Sequence, residues 1–185
     1  TFDDVKSVKC RFVPTEALPG LTSERFENGA TMILLPAFSK SHQEFALDGA
    51  TYPGLFDQPV MGWISGVHLD DIGKVSPKVF DGATGLAHDE GAAVMHLELE
   101  NGFAADIDIV NLFTQDAAGD EITFPGDGFS AGTAMVNGKE VNLANWITEN
   151  EVDTRFPLVA NYAGAMINVS FQNVDTDAGQ VAFYA

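Results

Sequence analysis

The chain is 185 residues long, 45% of them hydrophobic, and it sets nine Lys and Arg against 27 Asp and Glu for a formal net charge of -18. A chain of this size buries about 70% of the surface its unfolded form exposes, so it folds without a disulfide or structural metal and is not read as disordered. Its acidic field repels phosphate backbones and anionic head groups, which argues against nucleic acid and membrane surfaces as partners.

Cys10 is the single cysteine. No intrachain disulfide, CxxC redox pair or Cys-rich zinc site is available, and a reducing cytoplasmic setting is the simplest expectation. No uncharged apolar run reaches the roughly 18 residues of a membrane span, and no signal peptide opens the chain. One globular domain over residues 1–185 is expected. The start at Thr1 and the stop at Ala185, inside a strand-like run, suggest a piece of a longer protein.

In chain order, residues 8–13 alternate apolar and charged side chains and read as a first strand closed by Pro14, with Cys10 taken as a small buried side chain. Residues 30–35 form a second apolar run closed by Pro36. Ser41-His42-Gln43-Glu44 has the form of a capping box, opening a short helix with His42 on its surface and Gly49 at its end.

Residues 94–99 and 103–109 both alternate around Glu100-Asn101-Gly102, which predicts a hairpin. A three-residue loop pairs Leu99 with Phe103, Leu97 with Ala105 and Met95 with Ile107, giving one apolar face; a two-residue loop would mix apolar and charged side chains. Asn137-Gly138 predicts a second hairpin, and Leu143, Trp146 and Ile147 at i, i+3 and i+4 behind Asn142 predict a helix to about Asn150. Residues 165–173 and 181–184 read as strands joined by an Asp-rich turn, the last offering an edge for dimerisation. The sum is an α+β protein, β-rich, with a mostly antiparallel sheet and a few short helices.

Candidate chemistry concentrates in residues 61–71, which hold Trp63, Ser65, His68, Asp70 and Asp71 among Gly62, Gly66 and later Gly73. Ser65, His68 and Asp70 are the catalytic candidates for a metal-assisted or Ser/His hydrolase, although the order is G-x-x-S-G and not the G-x-S-x-G of a nucleophile elbow. Trp63, Ser65, His68 and Asp71 are candidates for holding a ligand, while the plainer reading buries Trp63, Ile64 and Val67 in the core. His68 and Asp70 share one face if the segment is a strand, and the predicted hairpin sets His96 opposite Asp106, so these four are the candidates for a divalent metal. The plainer reading is a solvated cross-strand pair and no cofactor. Fourteen Phe against three Tyr fit either a Phe-packed core or an apolar pocket lined by Phe45, Phe56, Phe80 and Phe129. No phosphate-binding loop, dinucleotide fingerprint, H-E-x-x-H helix or EF-hand spacing occurs.

Three blocks, residues 59–71, Ile122-Thr123-Phe124-Pro125 and 164–172, resemble an uncharacterised family of bacterial proteins over most of the chain. That resemblance implies no catalytic residues. The 62–66 segment is also similar to a Gly/Ser-containing stretch of the bacterial FIST sensory domain, which implies small-ligand binding. The sequence therefore points to a soluble bacterial module that binds a small molecule or a protein partner without chemistry of its own, with hydrolysis as the alternative and a homodimer as a third possibility.

Overall fold

The computed structural model describes residues 3–162 and 164–184. It is β-rich, with mostly antiparallel strands and few short helices. The chain divides into two compact units, Thr1–Ile107 and Asp108–Ala185.

The first unit runs β1 (Val5–Val13), β2 (Gly29–Pro36), α1 (Lys40–Asp48), β3 (Val60–Ser65), β4 (Val79–Asp81), β5 (Leu86–His88) and β6 (Ala92–Leu99). Its main sheet has the order β1-β6-β2-β3. β6 is antiparallel to both neighbours, whereas β2 and β3 are parallel. Parallel neighbours cannot be joined by a tight turn, and here residues 37–59, with α1, make the crossover. One sheet face carries Val13, Ile33, Leu35, Ala92 and Val94, and Leu18, Leu21, Tyr52, Leu55 and Phe45 cover it to form the core. The other face follows from the register: Cys10, Met95, Met32 and Met61 form one cross-strand row and Phe12, Ala93, Leu34 and Trp63 the next. None of these eight is buried, although part of this face is covered where His88 stacks on Phe12 at 3.8 Å between ring centroids.

Several expectations are corrected here. Cys10 is exposed because it alternates onto the open face and not the core face. The hairpin joining residues 94–99 to 103–109 does not form, since β1 and β2 occupy both edges of β6 and leave no edge for the later segment. His96 accordingly stands opposite Lys9 and Thr31, not Asp106. The cap of α1 is Ser39, whose Oγ accepts from the His42 amide at 3.1 Å, and not Ser41. Ser41 is buried with its hydroxyl donating to the Gly91 carbonyl at 3.1 Å, while the Glu90 carboxylate accepts from the amides of Lys40 and Ser41 at 3.0 and 3.1 Å. His42 is half-buried.

The second unit runs β7 (Ile122–Thr123), β8 (Ser130–Ala131), β9 (Thr133–Val136), β10 (Lys139–Asn142), α2 (Leu143–Glu149), β11 (Leu158–Tyr162), β12 (Ala165–Val169), β13 (Phe171–Asp175) and β14 (Gln180–Phe183). The Asn137-Gly138 hairpin forms as expected, with both residues at the positive φ of a two-residue turn, 51° and 78°. The expected helix also forms, with the Asn142 side chain accepting from the Asn145 amide at 3.0 Å. Leu143, Ala144 and Ile147 of α2 pack with Ala134, Val181 and Phe183 as the core of this unit. The strand expected over 165–173 is two strands, β12 and β13, in different sheets with Ser170 between them. β14 is central between β13 and β8, so the proposed edge is already paired on both sides.

Candidate functional site

β3 is the end strand of its sheet, and among the described residues no strand pairs with its outer edge. Its inner edge lies unusually close to β2: a Cβ on Gly62 would sit 1.9 Å from the Ile33 carbonyl oxygen, so only glycine fits there. The chain enters β3 through a segment tied to the loop before β2. Thr22 Oγ1 donates to the Pro53 carbonyl at 2.8 Å, and Arg25 donates to the Gly54 carbonyl and, at 2.8 Å, to Asp57 Oδ2. Gln58 Nε2 donates to the carbonyls of Phe26 and Glu27 at 2.9 and 2.6 Å. These bonds hold residues 53–58 in place without help from a sheet.

Between this segment, the edge of β3 and residues 105–107 lies a cleft of about 690 Å3. Ile33, Leu35, Phe45 and Leu55 supply its floor from the core side. Met61 and Trp63 come from the opposite face of β3, so the cleft wraps around the strand's free edge. Trp63 is 57% exposed and Phe56 74% exposed, far from the buried positions such large apolar side chains usually occupy.

Only three lining side chains are polar: Asp57, Gln58 and Asp106. Asp57 is neutralised by Arg25. Asp106 is exposed, with Oδ1 accepting from the Ile107 amide at 2.9 Å. Gln58 is different. Its Nε2 is committed to two carbonyls, which fixes the orientation of the amide, and its Oε1 is shut off from water with no hydrogen-bond partner. A buried acceptor left unpaired costs about 1–3 kcal/mol, and most such groups in proteins find a partner.

Of the residues singled out in the sequence, Trp63 lines the cleft, as do Phe45 and Phe56 from the aromatic set, while Phe80 does not and Phe129 belongs to the second unit. Trp63 and Ile64 are exposed and not core, and Val67 is half-buried. Ser65 ends β3 with its hydroxyl buried and unpartnered. His68 caps a short 3-10 turn over Leu69–Asp71, its Nδ1 accepting from the Asp70 amide at 3.3 Å and lying 3.6 Å from Asp70 Oδ2. The His68 ring hydrogen-bonds within its own turn, where Asp70 and Asp71 are also exposed, and it makes no hydrogen bond to the Ser65 hydroxyl. His96 is fully buried and Asp106 lies in the cleft; among the described residues no three His, Cys, Asp or Glu side chains gather as a metal would require. Gln58 was not legible as a lining residue, because the bonds that place it run to Phe26 and Glu27, thirty-odd positions away.

An α+β fold with an apolar cleft at the open edge of a βαβ unit is the class of protein that these features define. Residues 1–185 match a family of unknown function, DUF6976, and the chain belongs to that family, as its sequence blocks implied. No curated protein and no solved structure matches it. Among the described residues no helix is long and apolar enough to cross a membrane.

Proposed function

We propose that the Thr1–Ile107 unit is a binding module that takes a small apolar molecule in the cleft beside β3. The observation that carries this reading is the cleft itself. At about 690 Å3 it falls within the roughly 300–1,000 Å3 usual for small-molecule sites, and its wall is apolar apart from three side chains. The lining holds no Ser, Cys, His or Lys, so a nucleophile paired with a base is not what it presents, and binding is favoured over hydrolysis. Burying Trp63, Phe56 and Met61 against a ligand would stabilise the complex by about 25 cal/mol for each Å2 of apolar surface removed from water.

A second reading rests on the outer edge of β3, with which no described strand pairs and which can accept an extended peptide as a further strand. The cleft favours the first, because its depth reaches Leu35 and Phe45 beneath the sheet edge.

The test uses Nile red, a neutral apolar dye whose emission rises in an apolar site. The wild-type chain is expected to enhance its emission saturably. Phe56→Ser and Trp63→Ser, both at exposed positions and expected to keep the wild-type circular dichroism, are expected to weaken the dye at least about tenfold, the equivalent of roughly 1.4 kcal/mol. Dye binding unchanged in both folded variants would overturn the assignment of the cleft.

A further inference from the structure

We infer that the open face of the first unit's main sheet binds a soft monovalent cation, copper(I) or silver(I), which bridges sulfur atoms on neighbouring strands of the row Cys10, Met95, Met32 and Met61. The inference stands apart from the cleft reading, with which it shares Met61 alone.

Placement carries it first. The chain has five Met and one Cys, and four of these sulfurs fall in a single row. Cys10 of β1 stands opposite Met95 of β6, Met95 opposite Met32 of β2, and Met32 opposite Met61 of β3. Met95 lies between buried Val94 and His96, and Met32 between buried Thr31 and Ile33, so strand alternation turns both, with their partners Cys10 and Met61, to the open face. Cys10 and Met61 are exposed there and Met32 and Met95 half-buried, so solvent reaches the row.

Donor chemistry and spacing carry it further. The flanking rows, Phe12, Ala93, Leu34 and Trp63 on one side and Val8, Leu97 and Ala30 on the other, hold no carboxylate or hydroxyl side chain. A cation that takes oxygen ligands finds none among them, whereas thioethers and thiolates are the donors that copper(I) prefers. Residues directly opposite on adjacent strands have Cβ atoms about 4.5–5.5 Å apart. Two metal–sulfur bonds in line, each about the 2.3 Å of a zinc–thiolate bond, hold their sulfurs about 4.6 Å apart, so neighbouring side chains can share an ion without moving the backbone. Residues two strands apart are separated by about 9.5 Å, beyond that span, so each ion bridges adjacent members only. No redox step is involved: the Cys10 thiol gives its proton to solvent as its bond to the metal forms, and the thioethers bind as they are.

The test is run on Cys10→Ser, because a lone thiol binds silver by itself and would mask the row. Silver(I) nitrate in chloride-free buffer is the probe. The readout is NMR of the five Met methyl groups, each assigned by the loss of its signal in the Met→Leu variant. Leucine conserves volume at a cost below about 1.5 kcal/mol, so it removes the sulfur and keeps the fold and the apolar face. Silver is expected to shift the signals of Met32, Met61 and Met95 saturably and to leave those of Met135 and Met166, in the second unit, in place. Met32→Leu leaves Met95 and Met61 without an adjacent sulfur and is expected to weaken silver at least about tenfold, whereas Met61→Leu, which keeps Met95 beside Met32, is expected to weaken it by no more than about threefold. Magnesium nitrate is expected to move none of the three signals. No methyl shift in Cys10→Ser would reduce the row to a single reactive thiol and overturn the inference. Equal losses in Met32→Leu and Met61→Leu, or a shift of all five methyls alike, would overturn the bridging geometry and the site with it.

Discussion

At the scale of single residues, the most constrained polar group in the first unit is His96. Its ring is fully buried on the core side of β6, with Nδ1 2.9 Å from Thr31 Oγ1 and the Leu21 backbone as a further hydrogen-bond partner. Burial lowers its pKa below the ordinary 6.5, and the cations of Arg11 and Lys9 lower it further against the opposing pull of Glu24 and of the hydrogen bond with the Leu21 backbone. Burial lowers that of His42 as well. In the unfolded chain these rings take up a proton near pH 6.5, and in the folded protein only at lower pH. Between the two values the unfolded state binds more protons, so the stability these rings contribute is complete above 6.5 and is lost as pH falls toward the folded value. Urea unfolding from about pH 7.5 to about pH 5.5 should therefore show a falling free energy, less steep in His96→Gln than in the wild type. An identical slope in the variant would move the effect to His42. Separately, Thr31→Val should cost about 1–3 kcal/mol by removing the hydrogen-bond partner of the buried Nδ1.

At the scale of elements, what could be read in advance was what neighbouring residues decide between themselves. The Asn137-Gly138 turn and the Asn142 cap were legible because each needs only a side chain and a backbone within three or four positions. The 94–109 hairpin was not, although its local pattern is sound: β6 found two better partners in β1 and β2, some ninety and sixty-five positions away in sequence. The parallel pair of β2 and β3 is non-local for the same reason, and with it the cleft, whose walls come from four separate stretches of chain. Cys10 and Trp63 read as buried because both are apolar residues in strand-like runs, but the sequence could not say that their face of the sheet stays open. The start of α1 shows the same division. Ser39 caps it locally, but the carboxylate on its first two amides comes from Glu90, fifty positions on. A negative group there also meets the positive end of the helix dipole. Glu90→Ala should lower stability by about 1 kcal/mol, measured by urea midpoint, and Glu90→Gln by less, since it keeps an acceptor. Equal losses in the two would show that the charge, not the hydrogen bonds, is what matters.

At the scale of the whole molecule, the charge of -18 has few counterweights. Six of the nine Lys and Arg side chains are already in ion pairs, Lys6, Lys9, Arg11, Arg25, Lys40 and Arg155. They engage only Glu24, Glu44, Asp57, Glu98 and Asp153, so among the described residues most of the 27 acids face no cation. Two salt effects then compete. Screening weakens the ion pairs, but exposed pairs contribute only about 0–1 kcal/mol each. It also relieves repulsion among the remaining carboxylates, which is summed over many pairs and is greater in the compact state than in the expanded unfolded chain. The second effect should win: Tm is expected to rise as NaCl is raised from about 0.1 M to about 1 M, where the Debye length contracts from about 10 Å to about 3 Å. Chloride is the informative anion, because sulfate strengthens apolar burial in any protein and would raise Tm regardless of charge. A Tm that is flat or falls in NaCl would mean that the ion pairs of Glu24 and Glu98, whose carboxyl pKa values are lowered first by hydrogen bonds from Lys9 and Lys6, outweigh the repulsion among all the others.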